Sequence, residues 1–202
     1  MKKVLLSVCL LLLSSVSHAL SVEATQLKEK LALFDQIKAS FVQRVLSPEG
    51  KLLNESRGEM IISRPGKFFW QVNVPEEELI VSDGQTIWYY SPFIEQVTLI
   101  NFSDAINDTP FALIAGSDDE QWQDYMVSKQ NNQFTVTNPD NVQATTFIFD
   151  FDNNDNISQF VMIEALGQRS EFMLTHQSID TKVPNTLFNF NIPAGVEVDD
   201  QR

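Results

Sequence analysis

The chain has 202 residues and a formal net charge of −13, from 27 acidic and 14 basic side chains. Phosphate backbones and anionic lipid surfaces repel so acidic a protein, which excludes nucleic-acid binding as its main function. The length suits one domain with a substantial core, and no linker or change of composition divides the chain.

The first nineteen residues have the pattern of a secretory signal peptide. Two lysines open the chain, an apolar run follows over residues 4–13, and Ser17-His18-Ala19 is a small-x-small cleavage site. Cys9 raises the alternative of a lipid-anchored protein, but Val8 before it is not small and the apolar run continues past it. We therefore expect a cleaved signal peptide at residues 1–19 and an exported single domain over residues 20–202.

The exported part of the chain lacks the residues that most catalytic sites need. It contains no cysteine and a single histidine, His176, so disulfides, histidine metal clusters and most histidine-based triads are excluded. No nucleophile elbow, phosphate-binding glycine loop or C-x-x-C motif is present. The acidic run Asp118-Asp119-Glu120 has the composition of a solvated loop. We expect no enzymatic activity, no metal and no cofactor.

One segment begins like a calcium-binding loop and then departs from it. Asp150, Asp152 and Asn154 have the right spacing, but Asp155 stands where such a loop needs glycine and Val161 where it needs the closing glutamate. A polar hairpin turn between two phenylalanine-rich strands is the better interpretation.

The chain is predicted to begin with a helix and to continue mainly as strands. Ser21 is a suitable helix cap, and Leu27 and Leu31 recur at helical spacing after it. Consecutive strands joined by short polar turns indicate an antiparallel meander. The predicted strands are 37–46, a run ending at Arg64, 67–74, 78–81, 86–90, 95–100, 125–129, 134–137, 145–151, 157–164, 169–179 and 187–190.

A short apolar helix is predicted to interrupt the strands. Thr109 is a cap with Pro110 at the first helical position, and Gly116 suits the end of the helix. The residues between them are apolar on every side, so the helix either lies buried in the core or covers the concave face of the sheet as a lid. The lid residues under the second interpretation are Pro110, Phe111, Leu113 and Ile114.

The stretch from Arg64 to Trp70 joins a cation and a turn to an aromatic strand. Pro65 fixes its own φ, so Arg64 should end one strand and Lys67 begin the next. With a period of two, Phe68 and Trp70 point to the same face. They are either ordinary core residues, with Arg64 solvated, or the apolar wall of a binding surface with one strong donor at its mouth.

Other strands carry aromatic side chains that lack a polar group. The chain has 15 phenylalanines and only 3 tyrosines. Phe147 and Phe149 fall on one face of a single strand, and Met162 falls on the next strand. Methionine and phenylalanine form an adaptable, non-directional surface. We therefore predict that Phe68, Trp70, Phe147, Phe149 and Met162 line a shared apolar cavity.

The chain resembles the LolA family of outer-membrane lipoprotein carriers. The resemblance extends in order over the whole exported part of the chain. It rests on Arg64-Pro65 with Phe68 and Trp70, Leu79-Ile80-Val81-Ser82-Asp83-Gly84, Trp88-x-Tyr90-x-Pro92-Phe93 with Gln96, Thr109-Pro110-Phe111 with Leu113-Ile114-Ala115, and Val198-Asp199-Asp200-Gln201-Arg202.

The resemblance implies a mainly β fold, an incomplete antiparallel β-barrel with a helical lid over a hydrophobic cavity. It implies a monomeric periplasmic carrier that takes lipoprotein acyl chains from an inner-membrane ABC transporter and delivers them to an acceptor lipoprotein at the outer membrane. Arg64 matches the arginine that latches the lid in this family, and Phe68 matches the phenylalanine implicated in receiving cargo.

Two other functions remain compatible with the sequence. A non-catalytic periplasmic sensor or binder could use the same half-barrel for another lipid or lipoprotein. A secreted hydrolase is the least favoured alternative, because the sequence offers no catalytic constellation. Co-purified lipoprotein or fatty acid would favour the carrier, and turnover of an ester or glycoside would favour the hydrolase.

Overall fold

The computed structural model describes residues 20–105, 114–116, 122–123, 125–141, 143–179 and 182–202. Within these ranges, no helix has both the length and the apolar character needed to cross a membrane. The same residues contain no cluster of three or more histidine, cysteine or acidic side chains arranged to hold a metal ion.

The first element is the predicted helix, α1 (Val22–Leu31). The Ser21 side chain accepts a hydrogen bond from the Ala24 backbone N–H at 3.1 Å, which confirms the predicted cap. Ala24, Leu27 and Leu31 are buried, so one face of α1 packs against the interior of the sheet.

Strands make up most of the remaining described chain. A four-residue helix, α2 (Phe102–Ala105), follows the sixth strand and was not predicted. The strands are β1 (Gln36–Leu46), β2 (Leu52–Ser63), β3 (Lys67–Val74), β4 (Glu78–Asp83), β5 (Thr86–Ser91), β6 (Gln96–Asn101), β7 (Met126–Gln130), β8 (Gln133–Thr137), β9 (Thr146–Phe151), β10 (Ile157–Ile163), β11 (Arg169–Ile179) and β12 (Glu197–Asp200).

These strands form one open sheet in the order β12-β6-β5-β4-β3-β2-β1-β11-β10-β9-β8-β7. Neighbouring strands are antiparallel, except that β12 pairs with β6 in parallel. The two end strands, β12 and β7, do not pair with each other, so the barrel is incomplete. Helix α1 packs against the β7 side of its interior. The predicted fold class, an open antiparallel barrel with helices over it, is confirmed.

The inner face of the sheet carries a continuous apolar core. Met60 pairs with Trp70 and Trp70 with Ile80, which places these side chains in one inward row. The Phe41 ring stacks on Trp70 with centroids 3.6 Å apart. Gly58 permits this packing, since a Cβ built there would lie 2.6 Å from Phe41 Cζ and closer still to the backbone of a neighbouring strand.

The C-terminal region differs from the sequence-based expectation. The predicted strand at residues 187–190 is wrong: Asn185–Phe188 form a 3-10 helix, Phe188 is buried, and Phe190 packs on the rings of Trp88 and Tyr90. A short apolar run cannot be assigned to strand or helix by periodicity alone. Strand β12 was not predicted, because its residues Glu-Val-Asp-Asp lack apolar alternation.

The segment after Phe151 forms the predicted hairpin turn. The Asp152 carboxylate accepts hydrogen bonds from the backbone N–H groups of Asn154 and Asn156, at 2.8 and 3.0 Å. These bonds lower the pKa of Asp152, the largest cause being the bond from the Asn156 backbone. The carboxylate therefore closes the turn between β9 and β10, as the departures from the calcium pattern indicated.

Candidate functional site

The turn between β2 and β3 holds two other parts of the chain together. The Arg64 backbone N–H donates to the Asp35 carbonyl at 2.8 Å, just beyond α1. The Gly66 N–H donates to the Ala115 carbonyl at 2.9 Å. Gly66 has φ of +72°, and a Cβ there would lie 2.9 Å from Gly84 Cα, so both its backbone angle and its surroundings require glycine.

The Arg64 side chain makes a further hydrogen bond, to the residue next to Ala115. Its Nη2 donates to the carbonyl oxygen of Ile114 at 2.5 Å, and its guanidinium lies over the Phe34 ring, 5.7 Å from the centroid. Ile114 and Ala115 are helical and fully buried, and Gly116 follows them; we call residues 114–116 the lid segment. Arg64 thus contacts a backbone carbonyl of the predicted lid.

Burial and charge act on Arg64 in opposite directions. Burial lowers the pKa of the guanidinium from its ordinary value, and the nearby Asp35 carboxylate raises it. Among the described residues, the buried Nε atom has no hydrogen-bond partner. One lid carbonyl, rather than several, therefore accepts from this side chain in the region that the structure describes. Burying the Nε donor without a partner costs free energy, and this cost offsets part of the stabilisation that the bond to Ile114 provides.

A cavity of about 110 Å³ lies between α1, Arg64 and the lid segment. Its lining is mostly apolar, with two cationic side chains at its wall. The lining residues are Lys28, Leu31, Ala32, Arg64, Gly116 and Trp122. For comparison, an engineered protein cavity of about 150 Å³ holds a molecule the size of benzene. This cavity is therefore too small for an acyl chain in the arrangement described.

The predicted lining residues converge in the interior of the barrel. Phe68 and Trp70 are 2% and 4% exposed, and Phe147 and Phe149 are completely buried. All four belong to one packed apolar cluster, and Met162 packs against it. Val74, at the end of the same strand face as Phe68, is exposed. The structure brings the five residues together, and their role as cavity lining stays a prediction.

The predicted lid residues fall partly outside the described chain. Pro110, Phe111 and Leu113 are not among the described residues. Ile114 is, and it belongs to the same apolar cluster as Phe68. The burial of Ile114 fits both interpretations of this helix, as a core element and as a lid, because a closed lid is buried against the core that it covers.

Helix α1 has a polar attachment to the other half of the sheet that sequence analysis missed. The Lys30 ammonium pairs with the Asp155 carboxylate and lies 5.1 Å from the centroid of the Phe151 ring. Lys129 Nζ donates to Gln26 Oε1 at 3.0 Å. The paired residues are more than 100 positions apart in the chain, so no local pattern could have revealed them.

We expect Lys30→Met to loosen α1 without unfolding the protein. The change keeps an apolar stem but removes an ion pair and a cation–π contact, together worth about 1 kcal/mol at a partly exposed site. Hydrogen exchange of the α1 amides should accelerate, and added salt should reduce the difference from the unmodified protein. Asp155→Asn is the matched control, because it removes only the ion pair and should have a smaller effect. Equal exchange in α1 for all three proteins would contradict the attachment.

Comparison with known proteins places this arrangement in a family. The family model described as outer membrane lipoprotein carrier protein LolA matches residues 32–191, which include Arg64, the lid segment and the whole aromatic interior. This chain belongs to the LolA family. The resemblance carried by its sequence motifs is thereby confirmed.

Curated relatives of this LolA-family protein match it over its full length. The outer-membrane lipoprotein carrier protein of Psychromonas ingrahamii is 56% identical over 205 residues, covering 100% of both chains. The proteins of the same name from Aeromonas salmonicida and Aliivibrio fischeri are 44% and 40% identical, again covering 100% of each chain.

Solved structures support the fold of this LolA-family chain. A LolA superfamily protein from Nitrosomonas europaea superposes with a TM-score of 0.53 at 13% identity, covering 84% of this chain and 99% of that one. An uncharacterised conserved protein from Thermus thermophilus gives a TM-score of 0.52 at 13% identity, covering 89% and 98%. At this level of identity the likeness concerns the fold alone.

Proposed function

We propose that the protein is a non-catalytic periplasmic carrier that takes lipoprotein acyl chains from an inner-membrane ABC transporter and hands them to an acceptor lipoprotein at the outer membrane. Membership of the lipoprotein carrier family supports the class of cargo. One observation supports the mechanism most directly: the lid segment lies buried against an apolar cluster of the interior, and the Arg64 side chain donates to a backbone carbonyl of that segment.

The cargo chemistry explains why such a protein needs a closed interior. An acyl chain with roughly fifteen methylenes gains about 12 kcal/mol on leaving water, at about 0.8 kcal/mol for each methylene. Spontaneous release into water would therefore be far too slow. The cargo must pass directly from one apolar surface to the next, and the carrier must not bind it more tightly than the acceptor does.

A weak closure meets this requirement. A hydrogen bond from a charged donor contributes about 1.5–3 kcal/mol net, so the Arg64 bond favours the closed form by an amount that bound cargo or a partner can offset. In the open form, Phe68, Trp70, Phe147, Phe149 and Met162 would supply the apolar wall for the acyl chains. In the closed form the first four of these side chains and Ile114 belong to one buried apolar cluster, against which Met162 packs.

The decisive experiment is release of a lipoprotein from inner membranes. Residues 20–202 are incubated with lipoprotein-loaded inner-membrane vesicles and ATP, and the supernatant is analysed for a soluble complex with the carrier. We expect lipoprotein to become soluble only when both the carrier and ATP are present. Lipoprotein that remains in the membrane under these conditions would overturn the carrier function, whereas hydrolysis of an ester bond would point to an enzyme. The mass of the exported protein tests the proposed cleavage of the signal peptide after Ala19.

A further inference from the structure

Four hairpin turns lie side by side at the end of the sheet opposite Arg64. They are residues 47–51, 75–77, 92–95 and 164–168, which connect β1–β2, β3–β4, β5–β6 and β10–β11. In the sheet these strands are consecutive, so neighbouring turns are separated by two strand spacings, about 10 Å. We call these four turns and the strand residues that border them the far rim.

The close approach of Gly167 to Pro48 shows that two of these turns adjoin. A Cβ on Gly167, in the β10–β11 turn, would lie 3.3 Å from the Pro48 side chain in the β1–β2 turn. The far rim is therefore a continuous surface over these two turns rather than a set of isolated tips.

Two turns of the far rim expose large apolar side chains, and the strands that border the other two turns do the same. Phe93 is 75% exposed and Leu166 is 87% exposed, although both are residues that proteins normally bury. The complete set is Leu52, Leu53, Val74, Phe93, Ile94 and Leu166. Single exposed apolar residues need no explanation, but a group gathered along one rim is typical of an interaction surface.

The charge of the far rim indicates what kind of partner it fits. The four turns contain five glutamates and one lysine, and the strand residues next to them add Glu78 and Arg169, which together is still a stronger acidic excess than the two-to-one ratio of the whole chain. The glutamates Glu49, Glu76, Glu77, Glu95 and Glu164 are all exposed. An anionic membrane would repel this surface, whereas a basic protein surface would attract it and orient it on approach.

A recess beside the β3–β4 turn strengthens this conclusion. A cavity of about 150 Å³ lies between that turn and strands β1 and β2, with Gln43, Asn54 and Ser56 on one side and Glu76 and Glu78 on the other. Carboxylates at the wall of a polar recess can receive a lysine or arginine side chain through charge-assisted hydrogen bonds. Arginine anchors of this kind are common at the centre of protein interfaces.

We propose that the far rim is a docking surface for a partner protein whose contact face is basic and apolar, and that the partner holds the carrier by the end opposite its lid. The inference rests on the proposed carrier function, because a carrier must be held at a membrane while cargo is exchanged. Docking at the far rim leaves Arg64 and the lid segment uncovered. The partner can therefore hold the carrier in place while the lid opens.

The test compares far-rim variants with matched controls. The charge variant is Glu76→Lys with Glu77→Lys, and the apolar variant is Phe93→Ser with Ile94→Ser. Glu29→Lys and Leu33→Ser are the controls, because both residues are exposed and lie on or just after α1, away from the far rim. Circular dichroism and thermal unfolding confirm that each variant is folded.

Binding of labelled protein is measured by flotation with inner-membrane vesicles, outer-membrane vesicles and protein-free vesicles of phosphatidylethanolamine and phosphatidylglycerol. The unmodified protein should bind at least one kind of native vesicle but not the protein-free vesicles, and protease treatment of the native vesicles should abolish binding. Both far-rim variants should lose about tenfold or more in affinity, equivalent to 1.4 kcal/mol, while the controls bind as the unmodified protein does. Added salt should weaken binding of the unmodified protein.

Three results would overturn the proposal: equal binding by the far-rim variants, binding of the unmodified protein to protein-free vesicles, or no binding to either native membrane. Uptake of a fluorescent fatty-acyl probe by the isolated protein distinguishes failure of the docking proposal from failure of the carrier function. Far-rim variants should take up the probe normally. If the unmodified protein takes up no probe, the carrier function fails, whatever the flotation result.

Discussion

Arg64→Leu is expected to give a folded protein that accepts lipoprotein but fails to hand it to the acceptor. Leucine retains an apolar stem beside the Phe34 ring and removes every donor, so the Ile114 carbonyl loses its bond at 2.5 Å. In the unmodified protein this bond favours the closed form by about 1.5–3 kcal/mol, so its loss corresponds to roughly a 10- to 160-fold shift towards the open form.

The direction of the functional defect follows from linkage. Cargo binds the open form, and the closed empty form competes with it, so a weaker closed form raises the apparent affinity for cargo by the same factor. A carrier that holds its cargo more tightly releases it more slowly to an acceptor of unchanged affinity. We therefore expect normal or increased loading and a delivery rate at least about tenfold lower, if transfer is limited by this equilibrium.

Global stability should change little, because two effects oppose each other. The variant leaves the Ile114 carbonyl unpaired in the closed form, but it also removes a buried charge and the unpartnered Nε atom. Hydrogen exchange should accelerate at Gly66 and in the lid segment, while the β2 and β3 amides remain protected. Arg64→Lys is the control, because it keeps a cation that can reach the carbonyl. Its delivery rate should fall between those of the unmodified protein and Arg64→Leu. Delivery by Arg64→Leu at the unmodified rate would exclude the latch.

Local patterns were sufficient to predict the part of the site that lies within one hairpin. Strand β3 has the predicted bounds, Lys67–Val74, because Pro65 and Gly66 set its beginning and the aromatic alternation defines its faces. The end of the preceding strand next to Arg64 was predictable for the same reason. Proline, glycine and a period of two act over a few residues, which is the range that a single sequence displays.

Contacts between distant segments could not be predicted in this way. Lys30 and Asp155 are 125 residues apart, and either residue alone looks like an ordinary solvated charge. Strand β12 pairs in parallel with β6 through its backbone, so its acidic sequence carries no signal of the pairing. The aromatic residues were predicted to face inward, but the sequence could not show that in the closed form they share one buried cluster with Ile114.

Phe68→Glu is expected to destabilise the fold more than either Arg64→Leu or Lys30→Met does. The phenyl ring is 2% exposed and packs in the inner core, so a carboxylate there would be buried without a partner. Burying an unpaired polar group costs about 2–7 kcal/mol, and a charged one costs more unless it is neutralised. The introduced carboxyl should respond with a pKa above its unfolded value of about 4.3.

That raised pKa sets the pH dependence of the variant. Below about pH 4 the carboxyl is protonated in both the folded and the unfolded state, so the variant is closest to the unmodified protein there. As the pH rises through the unfolded pKa towards the folded pKa, the unfolded state loses its proton first and is stabilised by ionisation. The difference in unfolding free energy between variant and unmodified protein should therefore grow from acid to neutral pH, and urea titrations at several pH values measure it.

The consequence for cargo distinguishes a handover surface from ordinary core. Once ionised, the introduced carboxylate would place a charge on the apolar wall that acyl chains must cross, so any folded fraction should accept lipoprotein poorly. Phe68→Leu is the control: it keeps the wall apolar and should lose less than the roughly 3–5 kcal/mol typical of Phe→Ala changes. It should still load from inner-membrane vesicles. If Phe68→Glu is folded at neutral pH and loads lipoprotein at the normal rate, Phe68 has no part in receiving cargo.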